Sequence, residues 1–279
     1  MSNYLCHKIN KMKSKIQENR QQTIKILSKK LIFALLAFPF ISCANNSTKI
    51  PEMAYGSQTE INTNSKLIDH KQWNALLQKH VSDKGNVDYM GFQKDHVALQ
   101  SYLEVLSINL PAKSWSKEAI LAYWINAYNA HTVKLILDNY PIKSIKKIDN
   151  PWDATFFTLG TKKYSLGEIE HKILRKMNEP RIHFAINCAS SSCPNLLNEA
   201  FTENKMQIQL EIVTKSFIND KTKNNITANK IEISSIFDWF SSDFKKKGTL
   251  IDFLNKYSLV QINPKAKISY KEYNWNLNE

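Results

Sequence analysis

The segment from Lys117 to Asn139 constrains this chain more than any other. Ser116 stands where an N-cap belongs, Glu118 falls in the first turn and Pro141 stops the pattern, so one long helix is expected. Its middle is apolar, yet Asn126 and Asn129 lie three residues apart within it. A buried amide costs roughly 1–3 kcal/mol unless it finds partners. The two asparagines must therefore bond to a loop, to a ligand or to neighbouring backbone. They either hold two core segments together or position something that binds. His131 lies well round the helix from Asn129 and reads as a packing or surface histidine.

The N-terminus divides the chain. Lys29 and Lys30 precede an apolar run, Leu31 to Ile41, which is followed by Ser42, Cys43 and a polar stretch. A basic region, a short apolar core and a small residue before a cut make a secretory signal. The core is too short for a membrane span, which needs roughly 20 apolar residues. Phe40-Ile41-Ser42-Cys43 resembles a bacterial lipobox, with Phe40 where Leu is commoner. The alternative is an ordinary signal with an incidental cysteine. Met12 is a candidate start, because Lys13, Lys15, Arg20 and Lys25 still supply the basic region. The expected division is a signal over 1–42, a lipid-bearing tether over 43–65 and one globular domain over 66–279. A tether of this kind reaches on the order of 25 Å. The domain is then expected in a bacterial cell envelope, periplasm-facing or at the surface, held to the membrane by lipid on Cys43.

The charge balance is less basic than it looks. Residues 1–42 hold eight of the Lys and Arg residues and one Glu, so the formal charge falls from +13 to about +6 without them. No Arg-rich patch is interleaved with aromatics, which argues against nucleic acid as a partner. The six glycines form no phosphate-cradling loop. Neither His-x-x-x-His nor Cys-x-x-Cys occurs, so no metal site and no cofactor are expected.

Hydrophobic spacing gives a mixed pattern over the globular part. Helices are expected over 66–79, 95–107, 117–139, 202–219, 236–246 and 249–256. Residues 156–159 and 163–166 flank Gly160 as a hairpin. Ser165 and Glu168 fit a capping box opening a helix to Met177. Ile182–Cys188, Ile231–Ile233 and Lys267–Tyr270 read as strands. The fold class is α+β: a single domain with several helices packed on a small sheet.

Chemistry concentrates between Arg181 and Pro194. On a strand, Ile182, Phe184, Ile186 and Cys188 share one face, and Arg181, His183 and Asn187 the other. Cys188 then ends the strand and enters a Ser-rich loop. Pro194 can open a helix, which would set Cys193 near a helix N-terminus and favour its thiolate. Cys6 leaves with the signal and Cys43 carries lipid, so Cys188 and Cys193 are the two cysteines left. They form a structural disulfide, sit inert, or supply a reactive thiol. On the helix before them, Glu168, His171 and Arg175 share a face, while Glu170 points elsewhere. This is a solvated polar stripe or a general base with its orienting carboxylate.

At these residues the chain resembles the family called domain of unknown function 547. The likeness rests on Tyr123-Trp124-Ile125-Asn126-Ala127-Tyr128-Asn129, on Tyr140-Pro141 with Ser144-Ile145, and on Leu166 to Arg175. It continues through Pro180-Arg181-Ile182-His183-Phe184-Ala185 to Cys188 and Cys193-Pro194. Ser235-Ile236-Phe237, Asp243-Phe244 and the tail Tyr273 to Asn278 complete it, with Asn274 where the family has Asp. The resemblance implies an exported or membrane-linked bacterial domain and no known reaction. A looser likeness to papain-like or transglutaminase-like thiol enzymes comes from the Cys, His and Asn content.

The expectation is a cell-envelope lipoprotein acting as a thiol-dependent hydrolase or acyl transferase on peptide-like bonds. Cys188 is the nucleophile, His171 the base, and Glu168 or Glu170 its orienter. Asn126, Asn129, Arg175, Arg181, His183 and Cys193 are candidate binding residues. The alternative is a non-catalytic envelope binding or scaffold protein, its surface shaped by a Cys188–Cys193 bridge.

Overall fold

The computed structural model describes residues 66–279; the expected signal, the expected lipid site Cys43 and the expected tether lie outside the described residues. Four helices come first: α1 Lys71–His80, α2 Tyr89–Lys94, α3 His96–Ile108 and α4 Lys117–Asn139. The hairpin β1 Phe157–Leu159 and β2 Lys162–Tyr164 follows. After a long irregular stretch come α5 Met206–Asn219, β3 Asn225–Ile226 and β4 Lys230–Ser234. Short helices α6 Ile236–Trp239, α7 Ser241–Phe244 and α8 Leu250–Asn255 precede β5 Lys267–Lys271. Several helices with two small sheets make this a single α+β domain.

Helix α4 is the axis of the core. Ser116 caps it as expected, its hydroxyl accepting from the Ala119 N–H at 3.1 Å. Every residue from Leu121 to Val133 is buried, so the middle of the helix is enclosed all round. α2 and α3 pack against it and α1 packs against them, through Trp73, Phe92, Tyr102 and Leu106, all essentially inaccessible to solvent. α5 also packs against α4. β1 and β2 pair antiparallel with Phe157 opposite Tyr164. β4 is central in the second sheet, antiparallel to β3 and parallel to β5, with Ile231 opposite Ile268.

Three local expectations are corrected. Residues 182–188 form no strand; Pro180–Phe184 is a 3₁₀ turn. Pro180 sits at its start, and the Glu179 carboxylate accepts from the Arg181 N–H at 3.2 Å. Burial there is continuous from Ile182 to Asn187, a run that strand and buried turn share in sequence. No helix follows Pro194. The segment after Ser165 is helical to Met177, but Glu168–Ile173 is wound as a π-helix and Leu174–Met177 as 3₁₀. The Ser165 hydroxyl accepts from the Glu168 N–H at 3.1 Å, whereas the Glu168 carboxylate turns to Lys162 Nζ at 2.6 Å.

Candidate active site

The loop carrying both cysteines is built from its back. Asn129 Nδ2 donates to the Ala185 carbonyl at 3.0 Å, and its Oδ1 accepts from the Asn187 N–H at 2.8 Å. One α4 amide thus does for residues 185–187 what a neighbouring strand would do. Asn126 makes the same clasp on Phe201, donating at 2.8 Å and accepting at 3.0 Å. Asn187 shapes the next turn. Its Oδ1 accepts from the Ala189 N–H at 2.8 Å and its Nδ2 donates to the Pro194 carbonyl at 2.7 Å. Ala189 takes a left-handed conformation, φ 56°. From the front, the C-terminal tail fastens the loop. Ser191 N–H donates to the Asn276 carbonyl at 2.7 Å, and Asn274 N–H to the Ser192 hydroxyl at 2.9 Å.

These clasps deliver Cys188 to a cavity of about 190 Å³. Glu170, His171 and His183 also line it, as do Cys193 and Tyr128. Its wall is aromatic: Tyr273 and Trp275 have ring centres 4.5 Å apart, and Trp239 lies 4.8 Å from Tyr273. Trp152 continues the wall, 5.5 Å from Trp275.

Cys188 and Cys193 are unbridged thiols whose sulfurs lie 2.9 Å apart. The hydroxyls of Ser190 and Tyr273 lie 3.3 and 3.4 Å from Cys188 Sγ. The Ser190 proton can go to either Cys188 or Tyr273, since the two oxygens are 3.2 Å apart. A hydrogen bond from the Cys193 thiol, supported by these hydroxyls, draws the Cys188 thiol down to about 7. Cys193 moves the other way, because burial and the neighbouring Cys188 charge oppose its ionisation. Burial likewise keeps Tyr273 protonated, hence a donor. The helix-terminus stabilisation expected for Cys193 is thereby replaced by side-chain donors aimed at Cys188.

Glu170 is the second perturbed group. Burial, reinforced by the charge of Cys188, pushes its carboxyl up to about 7. The Tyr128 hydroxyl lies 3.4 Å from its Oε2. His183 stands beside it, fully enclosed and stacked on Phe240 at 4.0 Å. His183 Nε2 lies 3.0 Å from Asp243 Oδ2, so this carboxylate fixes the proton on Nε2 and leaves Nδ1 bare. That Nδ1 is buried without a partner, 3.9 Å from Glu170 Oε1. Asp243 also takes Arg175 Nε at 2.6 Å, and its carboxyl is held far below the usual range, first by His183 and then by Arg175. Burial lowers His183.

The structure gathers Cys188, Cys193, Glu170, His171 and His183 around one cavity and leaves other candidates outside it. His171 is half-buried, with Arg175 Nη1 donating toward its Nδ1 at 3.4 Å and burial lowering its pKa. No carboxylate orients it. Glu170 instead turns inward with Ile169 and Leu174, off the face that Glu168 and His171 share. Glu168 faces Lys162 instead. Arg181 is forked onto Glu179, at 2.8 and 2.7 Å, away from the cavity. Asn126 and Asn129 have both amide ends engaged with backbone and do not face it. His131 is buried against Phe157, ring centres 3.7 Å apart. Sequence spacing missed Asp243, Tyr128 and Tyr273. Nothing in the spacing of these three tied them to Cys188.

Residues 112–218 match the family model described as "Protein of unknown function, DUF547". This segment belongs to the DUF547 family. The DUF547 segment holds α4 with its two asparagines, Glu170, His171, His183 and both cysteines; Asp243 and the aromatic tail lie beyond it. No curated protein and no solved structure matches the chain. Among the described residues, no helix is long and apolar enough to cross a membrane, and no His, Cys, Asp or Glu cluster is arranged to hold a metal ion.

Proposed function

We propose that this protein is a thiol-dependent hydrolase or acyl transferase acting on peptide-like bonds. The observation that carries the reading is Cys188, a partly exposed thiol with three side-chain donors within reach at the edge of an aromatic cavity. A thiolate so held is a nucleophile near neutral pH. Attack on an acyl carbon would form a tetrahedral oxyanion and then a thioester as the leaving amine departs. That amine needs a proton, and Glu170, neutral up to about pH 7, is the cavity's acid. Once ionised, Glu170 can draw a proton from the water that hydrolyses the thioester. His183, fixed by Asp243, offers its bare Nδ1 beside Glu170 as a second place for that proton. Glu170 with His183 thus takes the acid–base role in place of His171, which remains a cavity-lining group.

Export and lipid attachment at Cys43 belong to the same proposal and would hold the domain beside a membrane. Incorporation of a labelled fatty acid, lost in Cys43→Ala, tests this part.

The deciding experiment is iodoacetamide labelling of Cys188 from pH 5 to 10, paired with hydrolysis of a peptidyl thioester reporter. Half-maximal labelling near pH 7 and reporter turnover lost in Cys188→Ser are expected. A thiol that labels only near its ordinary ~8.5, with no turnover, overturns the reading. The continuous wall of Tyr273, Trp239, Trp275 and Trp152 would then favour the second reading, a non-catalytic binding cavity.

A further inference from the structure

Acyl transfer needs one thiol, and this cavity has two. Cys188 is partly exposed, whereas Cys193 is 4% exposed and sits behind it. The Cys188 N–H donates to Cys193 Sγ at 3.0 Å, and the two sulfurs touch at 2.9 Å. The contact is built into the loop. Asn187 ties both ends of the turn, Ala189 takes the left-handed conformation that folds it back, and tail backbone holds Ser191 and Ser192 between the cysteines. An accessible thiol in contact with a shielded one is the arrangement that thiol–disulfide exchange requires. The outer thiol attacks, and the inner one resolves the mixed disulfide.

We propose that Cys188 and Cys193 form a dithiol that reduces small organic disulfides entering the aromatic cavity. The inference rests on the nucleophilic Cys188 of the reading above and is independent of its acyl chemistry. In the first step the Cys188 thiolate attacks one sulfur of R–S–S–R. A Cys188–S–S–R bond forms, the substrate S–S bond breaks, and RS⁻ leaves. In the second step Cys193 gives its proton to the RS⁻ released in the first step and attacks the Cys188 sulfur. The Cys188–Cys193 bond forms and the second RS⁻ departs, protonated by solvent. The protein pair loses two electrons and two protons, and the substrate disulfide gains them as two RSH. One such turnover uses only the reducing equivalents of the pair.

Single turnover on the full chain tests this. Pre-reduced protein is mixed with excess oxidised glutathione without oxygen and quenched in acid. Peptide mass mapping then reads residues 188–193, setting Cys6 and Cys43 aside. The wild type should carry a Cys188–Cys193 bridge with no attached glutathione. Cys193→Ser should stop with glutathione on Cys188, and Cys188→Ser should form neither species in the same time. A wild type that ends glutathionylated on Cys188 overturns the proposal, as does a Cys193 that reacts equally fast without Cys188. The wild-type map decides even where a variant does not fold. Reporter turnover without bridge formation leaves the acyl reading standing and sinks this one; the reverse result does the opposite.

Discussion

The two sides of the Ala185–Cys193 loop are opposites. On the helix side, Asn126 and Asn129 are buried polar groups with both amide ends paired to backbone. On the cavity side, the buried polar groups are under-paired or held out of their ordinary protonation. His183 Nδ1 has no partner, Glu170 is pushed up to about 7 and Cys188 is drawn down to about 7. A satisfied network makes a rigid support; a cluster poised between two protonation states can move protons. An orphaned atom alone does not mark a site. His131 Nε2 is also unpartnered, but it lies against Phe156 and Phe157 and lines no cavity with a nucleophile.

The sharpest way to break this contrast is Cys188→Ser. Reporter turnover and iodoacetamide incorporation at the cavity should disappear while the melting temperature stays near wild type. Residual turnover above a tenth of wild type would move the chemistry elsewhere. On the supporting side, Asn129→Ala should act through stability. It strips partners from the Ala185 carbonyl and the Asn187 N–H, both enclosed, at about 1–3 kcal/mol each. Urea unfolding should show a loss of about 4 kcal/mol. A loss below 1 kcal/mol would mean that water replaces the amide and that the clasp is not structural.

Glu170→Gln tests the cavity side by its pH dependence. Glu170 is raised above its unfolded value, so the folded state holds the proton to higher pH than the unfolded chain does. Its contribution therefore declines as pH rises from about 4.5 to about 7, and stays lost above that. The stability of the wild type relative to Glu170→Gln should fall by about 3 kcal/mol across this window. Taking the difference removes the contributions of His183 and Asp243. A flat difference would show that Glu170 ionises freely and cannot serve as the acid.

Much of this arrangement was legible in the sequence, and the unread part has a common cause. The caps of α4, the hairpin around Gly160 and the need of Asn126 and Asn129 for partners are local, set within a few residues. Cys188, Glu170, His171 and His183 stood out as a dense block. What spacing could not give is contact across the chain: Asp243 meets His183 from sixty residues on, and Tyr273 meets Cys188 from eighty-five. The π- and 3₁₀-winding of residues 168–177 is a register change that the residue pattern of the helix does not announce. The 182–188 segment was misread because Asn129 satisfies its backbone without a partner strand.

The smallest predicted effect isolates one donor. Tyr273→Phe removes the hydroxyl 3.4 Å from Cys188 Sγ and keeps the ring that packs 4.5 Å from Trp275. Cys193 remains the larger influence on Cys188, and the Ser190 proton, released from its alternative acceptor, becomes free for the sulfur. The midpoint of Cys188 labelling should therefore rise by less than about one pH unit, since one unit is about 1.4 kcal/mol and a weak hydroxyl donor is worth less. Reporter turnover at pH 6 should drop a few-fold and recover at pH 9, where the thiolate forms without help. A loss that is equal at both pH values would assign Tyr273 to shaping the aromatic wall, not to holding the thiolate.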